Sequence, residues 1–233
     1  MPQTRYHLRS AIAAIGAFVA ALCAPAHAGG GAHIVDDDAV LDPGVCHSEN
    51  WITRAGARSG LLTVAPACTL AALPKVELAA AFQHAWDDGT ATSVAPGFKV
   101  NLRSADEALI GVALSATAVW NINDERIDEI QFNLPLTIKP ANGLALHANA
   151  GWFIAPGSAD RHSLFWGAQA EYAVTRNLVI MGEVFGRDRG LPGAQAGLRW
   201  VTDKDRIDVD FLAGHRIDGT AGTSLTFGVT IRR

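Results

Sequence analysis

Two histidines stand where they could activate a hydroxyl group for nucleophilic attack. His162 directly precedes Ser163, and His84 lies near the end of another predicted strand. Such catalysis also needs a third group that orients the imidazole. The sequence offers neither histidine a convincing partner of this kind, so we expect no enzyme and assign no catalytic residue.

Metal chemistry has equally little support in the sequence. No CxxC pair and no Cys/His cluster has the spacing of a zinc site. His33 lies close to the acidic triplet Asp36 to Asp38, which leaves a metal site as an alternative, but we expect a solvated acidic stretch there. We therefore predict no metal and no cofactor.

The first 28 residues have the pattern of a secretory signal peptide. Basic residues near the N-terminus precede an apolar run from about Ala11 to Cys23, and Ala26-His27-Ala28 then forms an A-x-A cleavage site. Leu22 stands where a lipoprotein signal carries Gly or Ala, so we predict no lipid anchor. These features predict export, with residues 1–28 removed.

The predicted mature chain is mildly acidic and has no long apolar run. The full chain has a net charge of −4, and removing Arg5 and Arg9 makes it more negative, which argues against a nucleic-acid partner. No apolar segment reaches the roughly 18–20 residues of a membrane-spanning helix. Residues 29–45, with a Gly run and three aspartates, are predicted to be a flexible periplasmic segment.

Two cysteines remain after the signal peptide, Cys46 and Cys68. An exported protein meets an oxidising compartment, so we expect one disulfide between them, with two buried free thiols as the alternative. A hairpin folded about Ala57 would place the two residues directly opposite each other. The bridge is then a structural staple of the first hairpin.

From Cys46 onward the polarity alternates with a period of two, which predicts β-strands with two different faces. Ile130, Phe132 and Leu134 alternate with Gln131 and Asn133, for example. Weak alternation before Arg103, and a proline inside the second strand, leave a ten-stranded barrel preceded by a periplasmic hairpin as the alternative. The main prediction is twelve strands: Cys46 to Arg54, Leu61 to Leu70, Lys75 to Trp86, Pro96 to Arg103, Leu109 to Asn123, Arg126 to Lys139, Leu144 to Ala155, Ser163 to Val174, Asn177 to Arg187, Ala194 to Thr202, Ile207 to Ile217 and Ser224 to Arg233.

Three features favour a membrane barrel over a soluble β-protein. The predicted strands are about 9 to 13 residues long, close to the length that a tilted strand needs to cross a bilayer. Turns after even-numbered strands are shorter than those after odd-numbered strands, such as Asp87 to Ala95, as expected for periplasmic turns and outer loops. The third feature is two aromatic bands, with Trp51, Trp86, Trp120, Trp152 and Trp166 toward the outer end, and Trp200 and Tyr172 toward the periplasmic end.

The chain resembles the proteobacterial outer-membrane β-barrel proteins, an uncharacterised porin-like or transporter-like group. The last strand, Ser224 to Arg233, is similar to the C-terminal signal that the barrel-assembly machinery recognises, although it ends in Arg233 where an aromatic is usual. The resemblance implies an all-β, antiparallel up-and-down transmembrane barrel over residues 46–233. It also implies a Gram-negative outer-membrane location, with outer-membrane lipids and the assembly machinery as partners.

A barrel of this kind turns the polar face of each strand toward its lumen. Acids and bases confined there should pair, because an unpaired charge in a partly dehydrated space is costly. The network could plug a closed structural barrel or line a path for a small solute. We predict a channel or transporter-like barrel, with a closed envelope-integrity barrel and a soluble periplasmic protein as alternatives, and with these selectivity candidates: Arg103, Glu129, Glu171, Glu183, Arg187, Arg199, Asp208 and Asp210.

Overall fold

The computed structural model describes residues 32–87, 89–202, 206–216 and 222–233. The predicted signal peptide, residues 1–28, lies outside them. No helix in the described part of the chain is long and apolar enough to span a membrane.

The described residues form twelve strands, as predicted, and the ten-stranded alternative is wrong. The predicted loop over Asp87 to Ala95 is too long, because β4 already begins at Thr90. The strands are β1 (Cys46–Ala55), β2 (Ser59–Thr69), β3 (Val76–Trp86), β4 (Thr90–Arg103), β5 (Gly111–Asn121), β6 (Arg126–Ala141), β7 (Leu144–Ile154), β8 (His162–Ala173), β9 (Leu178–Arg187), β10 (Gly193–Val201), β11 (Ile207–His215) and β12 (Thr223–Arg232).

The strands form a closed, antiparallel, up-and-down barrel. Each strand pairs with its neighbour in sequence, and β1 pairs with β12 from His47 opposite Arg232 to Ala55 opposite Ser224. This last pairing removes the two free edges that an open sheet would expose. We call the end where β1 begins and β12 finishes the terminal end, and the opposite end the distal end.

The barrel is apolar outside and polar inside. Phe82, Phe98, Ile180, Phe211 and Phe227 point outward and are 42–52% exposed. Within each strand, the residues that alternate with these outward residues point inward, and many of them are buried polar groups. This distribution is the reverse of a water-soluble barrel, in which the apolar faces meet inside.

Aromatic side chains occupy the outer face near both ends, with one exception to the prediction. Trp120, Trp152 and Trp166 are exposed in the distal part of their strands, and Trp200 and Tyr172 in the terminal part. Trp51 instead points inward and packs near Ala32. It belongs to the inward row of β1, whose alternation is too weak in the sequence to show which face Trp51 takes.

The predicted difference in turn length does not hold along the whole barrel. Residues 104–110 connect two strands at the terminal end and are as many as residues 155–161 at the distal end. The terminal connection has a structural role, because the backbone N–H of Ala105 donates to the Asp38 carboxylate at 3.0 Å. This connection therefore contacts Asp38, a residue inside the barrel.

The predicted disulfide between Cys46 and Cys68 is present. The two residues are directly paired across β1 and β2, with their Cα atoms 4.1 Å apart. Gly56, in the turn that joins these strands, has a φ of +79°, a conformation that glycine adopts without steric cost. The bridge joins the first hairpin at the terminal end, beside the point where the chain enters the barrel wall.

Replacing both cysteines, Cys46→Ser with Cys68→Ser, should lower the free energy of unfolding by about 3 kcal/mol, because the loop they close restricts the unfolded chain. The measurement is the denaturant midpoint of the detergent-solubilised protein, followed by tryptophan fluorescence. Wild-type protein treated with reductant is the control and should match the double variant. An unchanged midpoint in both samples would show that the bridge contributes no stability.

Candidate functional site: the barrel lumen

The residues described before β1 lie largely inside the barrel. It was predicted to be a flexible periplasmic segment, but the structure places residues 32–42 against the inner wall, and we call them the lumen segment. Val35 is fully buried, and Asp37 and Asp38 are nearly so. Val35 packs against Phe165 and Phe185, while inward polar side chains bind the backbone of the segment, and together these contacts account for its position.

Glu183, an inward residue of β9, holds the first part of the lumen segment. Its two carboxylate oxygens accept hydrogen bonds from the backbone N–H groups of Ile34 at 3.0 Å and Val35 at 2.8 Å. The amide of Gln195 donates both to Glu183 and, at 3.0 Å, to the carbonyl of Ala32. A carboxylate is an acceptor only, so it matches a run of backbone donors.

Asn149 of β7 holds the middle of the segment as a strand partner would. Its Oδ1 accepts from the backbone N–H of Asp36 at 2.9 Å, and its Nδ2 donates to the Asp36 carbonyl at 2.7 Å. Asn133 fixes the orientation of this amide by donating to the same Oδ1 at 2.8 Å. The side chain thereby satisfies both backbone groups of Asp36, which would otherwise lie unpaired inside the barrel.

Asp38 anchors the segment near the terminal end. Its backbone N–H donates to Thr137 Oγ1 at 3.1 Å, and its carbonyl accepts from Asn101 Nδ2 at 2.6 Å. A Cβ atom at Gly111 would overlap the Asp38 carboxylate, so glycine leaves the room that this contact needs. Three strands, β4, β5 and β6, thus define the place of a single residue.

Three carboxylates gather around one ammonium group, and we call Asp36, Asp37, Glu77 and Lys99 the acidic cluster. Lys99 Nζ lies 2.9 Å from Asp36 Oδ1 and 3.3 Å from Asp37 Oδ1. Glu77 is paired directly with Lys99 across β3 and β4, and accepts from the backbone N–H of Leu41 at 3.1 Å. Burial raises the pKa of the Asp37 carboxyl to about 7, although the Lys99 charge opposes this shift.

The side of the lumen that the segment leaves open has a wall of small side chains. A cavity of about 2090 Å³ lies there, and its lining runs from Val45 and His47 at the terminal end to Ala55 and Ser59 at the distal end. The lining therefore follows the whole length of β1. Its small side chains on β2 to β5 are Ala65, Ala67, Ala79, Ala81, Ala85, Ala91, Ala95, Gly97, Ser115 and Thr117.

Two of the predicted selectivity residues face each other across the distal part of the lumen. Arg187 Nη1 lies 2.8 Å from Glu129 Oε2, joining β9 to β6. The Arg187 guanidinium also lies 4.7 Å from the centroid of the Phe153 ring. Both charged residues line the cavity. The ion pair therefore holds the Arg187 guanidinium beside the distal part of the cavity.

The other predicted selectivity residues are built into the wall. Arg199 lies 2.7 Å from Asp210, its partner on the neighbouring strand, and all three of Arg199, Asp208 and Asp210 are about 1% exposed. Glu171 is fully buried, and Glu183 binds the lumen segment. Neither carboxylate oxygen of Glu171 has a hydrogen-bond partner among the described residues.

Arg103 does not join the lumen group. Its side chain is exposed, and Nε donates to the Ile110 carbonyl at 2.7 Å. The prediction also missed Asp36, Asp37 and Lys99 as one group. Lys99 has the inward register of its strand, but the triplet resembled a solvated tail, and no local pattern connects the two.

The residues considered for catalysis and metal binding lie apart from one another. His162 stacks on Trp152 with ring centroids 5.6 Å apart, and His84 Nδ1 lies 3.0 Å from Thr92 Oγ1. Arg187, rather than a histidine, makes the 3.5 Å contact to Ser163 Oγ. Across the described ranges, no group of three or more His, Cys, Asp or Glu residues is arranged to hold a metal ion.

Residues 17–233 match the model of a family described as uncharacterised conserved protein UCP029691. The chain belongs to this family. No curated protein sequence matches the chain. The family match establishes which family the chain belongs to but describes no function.

Solved porin structures share the fold at low sequence identity. The KdgM porin has a TM-score of 0.62 at 9% identity, covering 79% of this chain and 98% of its own. A second structure, of the KdgM porin in complex with disordered oligogalacturonate, gives 0.59 at 9%, with coverage of 80% and 98%. The NanC porin gives 0.60 at 8%, with coverage of 80% and 98%. This family member thus has the barrel fold of outer-membrane porins.

Removing the Glu183 carboxylate should release the lumen segment. In a Val35→Cys protein with the native disulfide intact, adding Glu183→Ala should speed labelling by a water-soluble maleimide roughly tenfold or more, since each hydrogen bond to a charged group is worth about 1.5–3 kcal/mol. The control is Val35→Cys with Glu129→Ala, which removes a lumen carboxylate bonded to Arg187 and Gln131. Equal rates in both backgrounds would contradict the anchoring role of Glu183.

Proposed function

We propose that this protein is an outer-membrane channel for small polar solutes. The observation that carries the proposal is the cavity of about 2090 Å³ whose lining follows β1 from one end to the other. A channel needs a path for water and solute that is not filled by its own side chains. The small residues of β2 to β5 provide that path beside the lumen segment.

The outer surface supports a position in a membrane. Strands of 9 to 16 residues carry the apolar outer face, and a tilted strand needs about 9–11 residues to cross the hydrocarbon core. Exposed aromatic residues near both ends fit the two interfaces between lipid and water. Export would depend on the predicted signal peptide. With the residues before β1 entering from the periplasm, the terminal end of the barrel faces the periplasm.

The distribution of side-chain size supports transport over a purely structural role. On one side of the barrel, long inward polar side chains such as Asn149, Glu183 and Gln195 bind the lumen segment. Inward residues on the opposite side form rows of small side chains, including Ala67, Ala79 and Gly97, which are in register across β2, β3 and β4. A barrel that served only as a rigid element would gain stability from filling this space.

A closed barrel is the second candidate, and one observation favours it. The lumen segment is held by side chains from strands between β3 and β10, so a substantial part of the interior is occupied. In that case envelope integrity, rather than solute flux, would be the phenotype of a deletion strain. Conductance separates the two candidates directly.

The purified protein in a planar lipid bilayer should give discrete conductance steps. Ala81→Trp should reduce the step size by about half or more, because its side chain would enter the open part of the lumen. Ala80→Trp is the matched control, since the next residue along β3 points outward, and its steps should equal those of the wild type.

Inserted wild-type protein that gives no current would contradict the channel and leave the closed barrel. Equal step sizes for both tryptophan variants would show that ions pass elsewhere than along the wall of small residues.

A further inference from the structure

We propose that the acidic cluster gives the channel a preference for cations over anions, with the lumen segment supplying two of its charges. The inference rests on the proposed channel and names its selectivity element. Asp36, Asp37, Glu77 and Lys99 all line the cavity. Three carboxylates around one ammonium leave an excess of negative charge beside the path.

The acidic cluster lies beside the wall of small side chains, so an ion that moves along this wall passes close to it. Glu77 and Lys99 lie in the register row next to the one formed by Ala79 and Gly97, toward the terminal end. The lumen segment crosses this level, because Leu41 binds Glu77 while Asp36 binds Lys99. The field of these charges therefore acts where the segment limits the lumen.

A second observation shows that the cluster is incompletely satisfied by the protein. Asp37 is 1% exposed, and its Oδ2 has no hydrogen-bond partner among the described residues. Its other oxygen accepts from the backbone N–H of Ala39 at 2.7 Å and lies near Lys99. The protein therefore leaves part of the Asp37 negative charge uncompensated.

The remaining charges along the cavity do not cancel this excess. At the terminal end, Asp42 and Glu49 add carboxylates to the lining. Two lining arginines there form ion pairs, Arg232 with Asp208 at 2.6 Å and Arg199 with Asp210 at 2.7 Å. At the distal end, Arg187 and Arg189 line the opening, and each forms an ion pair, with Glu129 and Asp160 respectively. Arg216 is a further distal cation. The cluster is thus a diffuse attraction for cations, in keeping with the absence of a metal-binding group among the described residues.

The test is the reversal potential of the full mature protein in a planar bilayer under a KCl gradient, at pH 8, where Asp37 is mostly ionised. The wild type should favour K⁺ over Cl⁻. Asp36→Asn with Asp37→Asn should lower the permeability ratio roughly threefold or more, and Lys99→Gln should raise it. Glu107→Gln removes one carboxylate charge at an exposed residue outside the cavity lining and is the control, which should leave the ratio unchanged.

The two cluster variants break the same ion pair but change the charge in opposite directions. A purely structural role would release the segment in both and shift the ratio the same way, which would overturn the inference. A wild-type channel that prefers Cl⁻, or a ratio that neither variant changes, would also overturn it while leaving the channel itself intact. Absence of any current would instead contradict the proposed function.

Discussion

The hydrogen bonding between β1 and β12 is the constraint on which the rest of the structure depends. Backbone groups in a hydrocarbon environment must be paired within the protein, and a closed ring of strands is one of two ways to achieve this. The ring leaves apolar side chains outside and fixes the inward residues of all twelve strands around one lumen. Every contact of the lumen segment uses positions that this closure sets.

A closed barrel of this size creates a second physical problem, which is how to fill or hydrate its interior. The protein solves it differently on its two sides. Large polar side chains of β6 to β11 bind one another and the lumen segment, although some of their buried oxygen atoms, including both of Glu171, have no hydrogen-bond partner among the described residues. The strands β2 to β5 present small side chains and leave a cavity. This uneven distribution of side-chain size accounts for both the polar network on one side of the lumen and the cavity on the other.

The strand pattern could be predicted from the sequence because the two faces of each strand meet different surroundings. Ile130 to Asn133 show the alternation directly, and the register of Cys46 with Cys68 follows from a single hairpin. The lumen segment could not be predicted in the same way. Its partners lie between 36 and 163 residues away along the chain, and its backbone binds side chains rather than a neighbouring strand. Local composition carries no signal for such contacts, so Asp36 and Asp37 resembled a solvated tail.

The most direct test of the membrane barrel is fractionation of cells that express the protein, followed by gel mobility with and without heating in detergent. We expect recovery in the outer membrane and a band that migrates differently after heating, because the closed strand ring resists detergent until it is heated. Recovery in the soluble periplasm, with one mobility under both conditions, would contradict it. The apolar outer face would then have to be covered by protein.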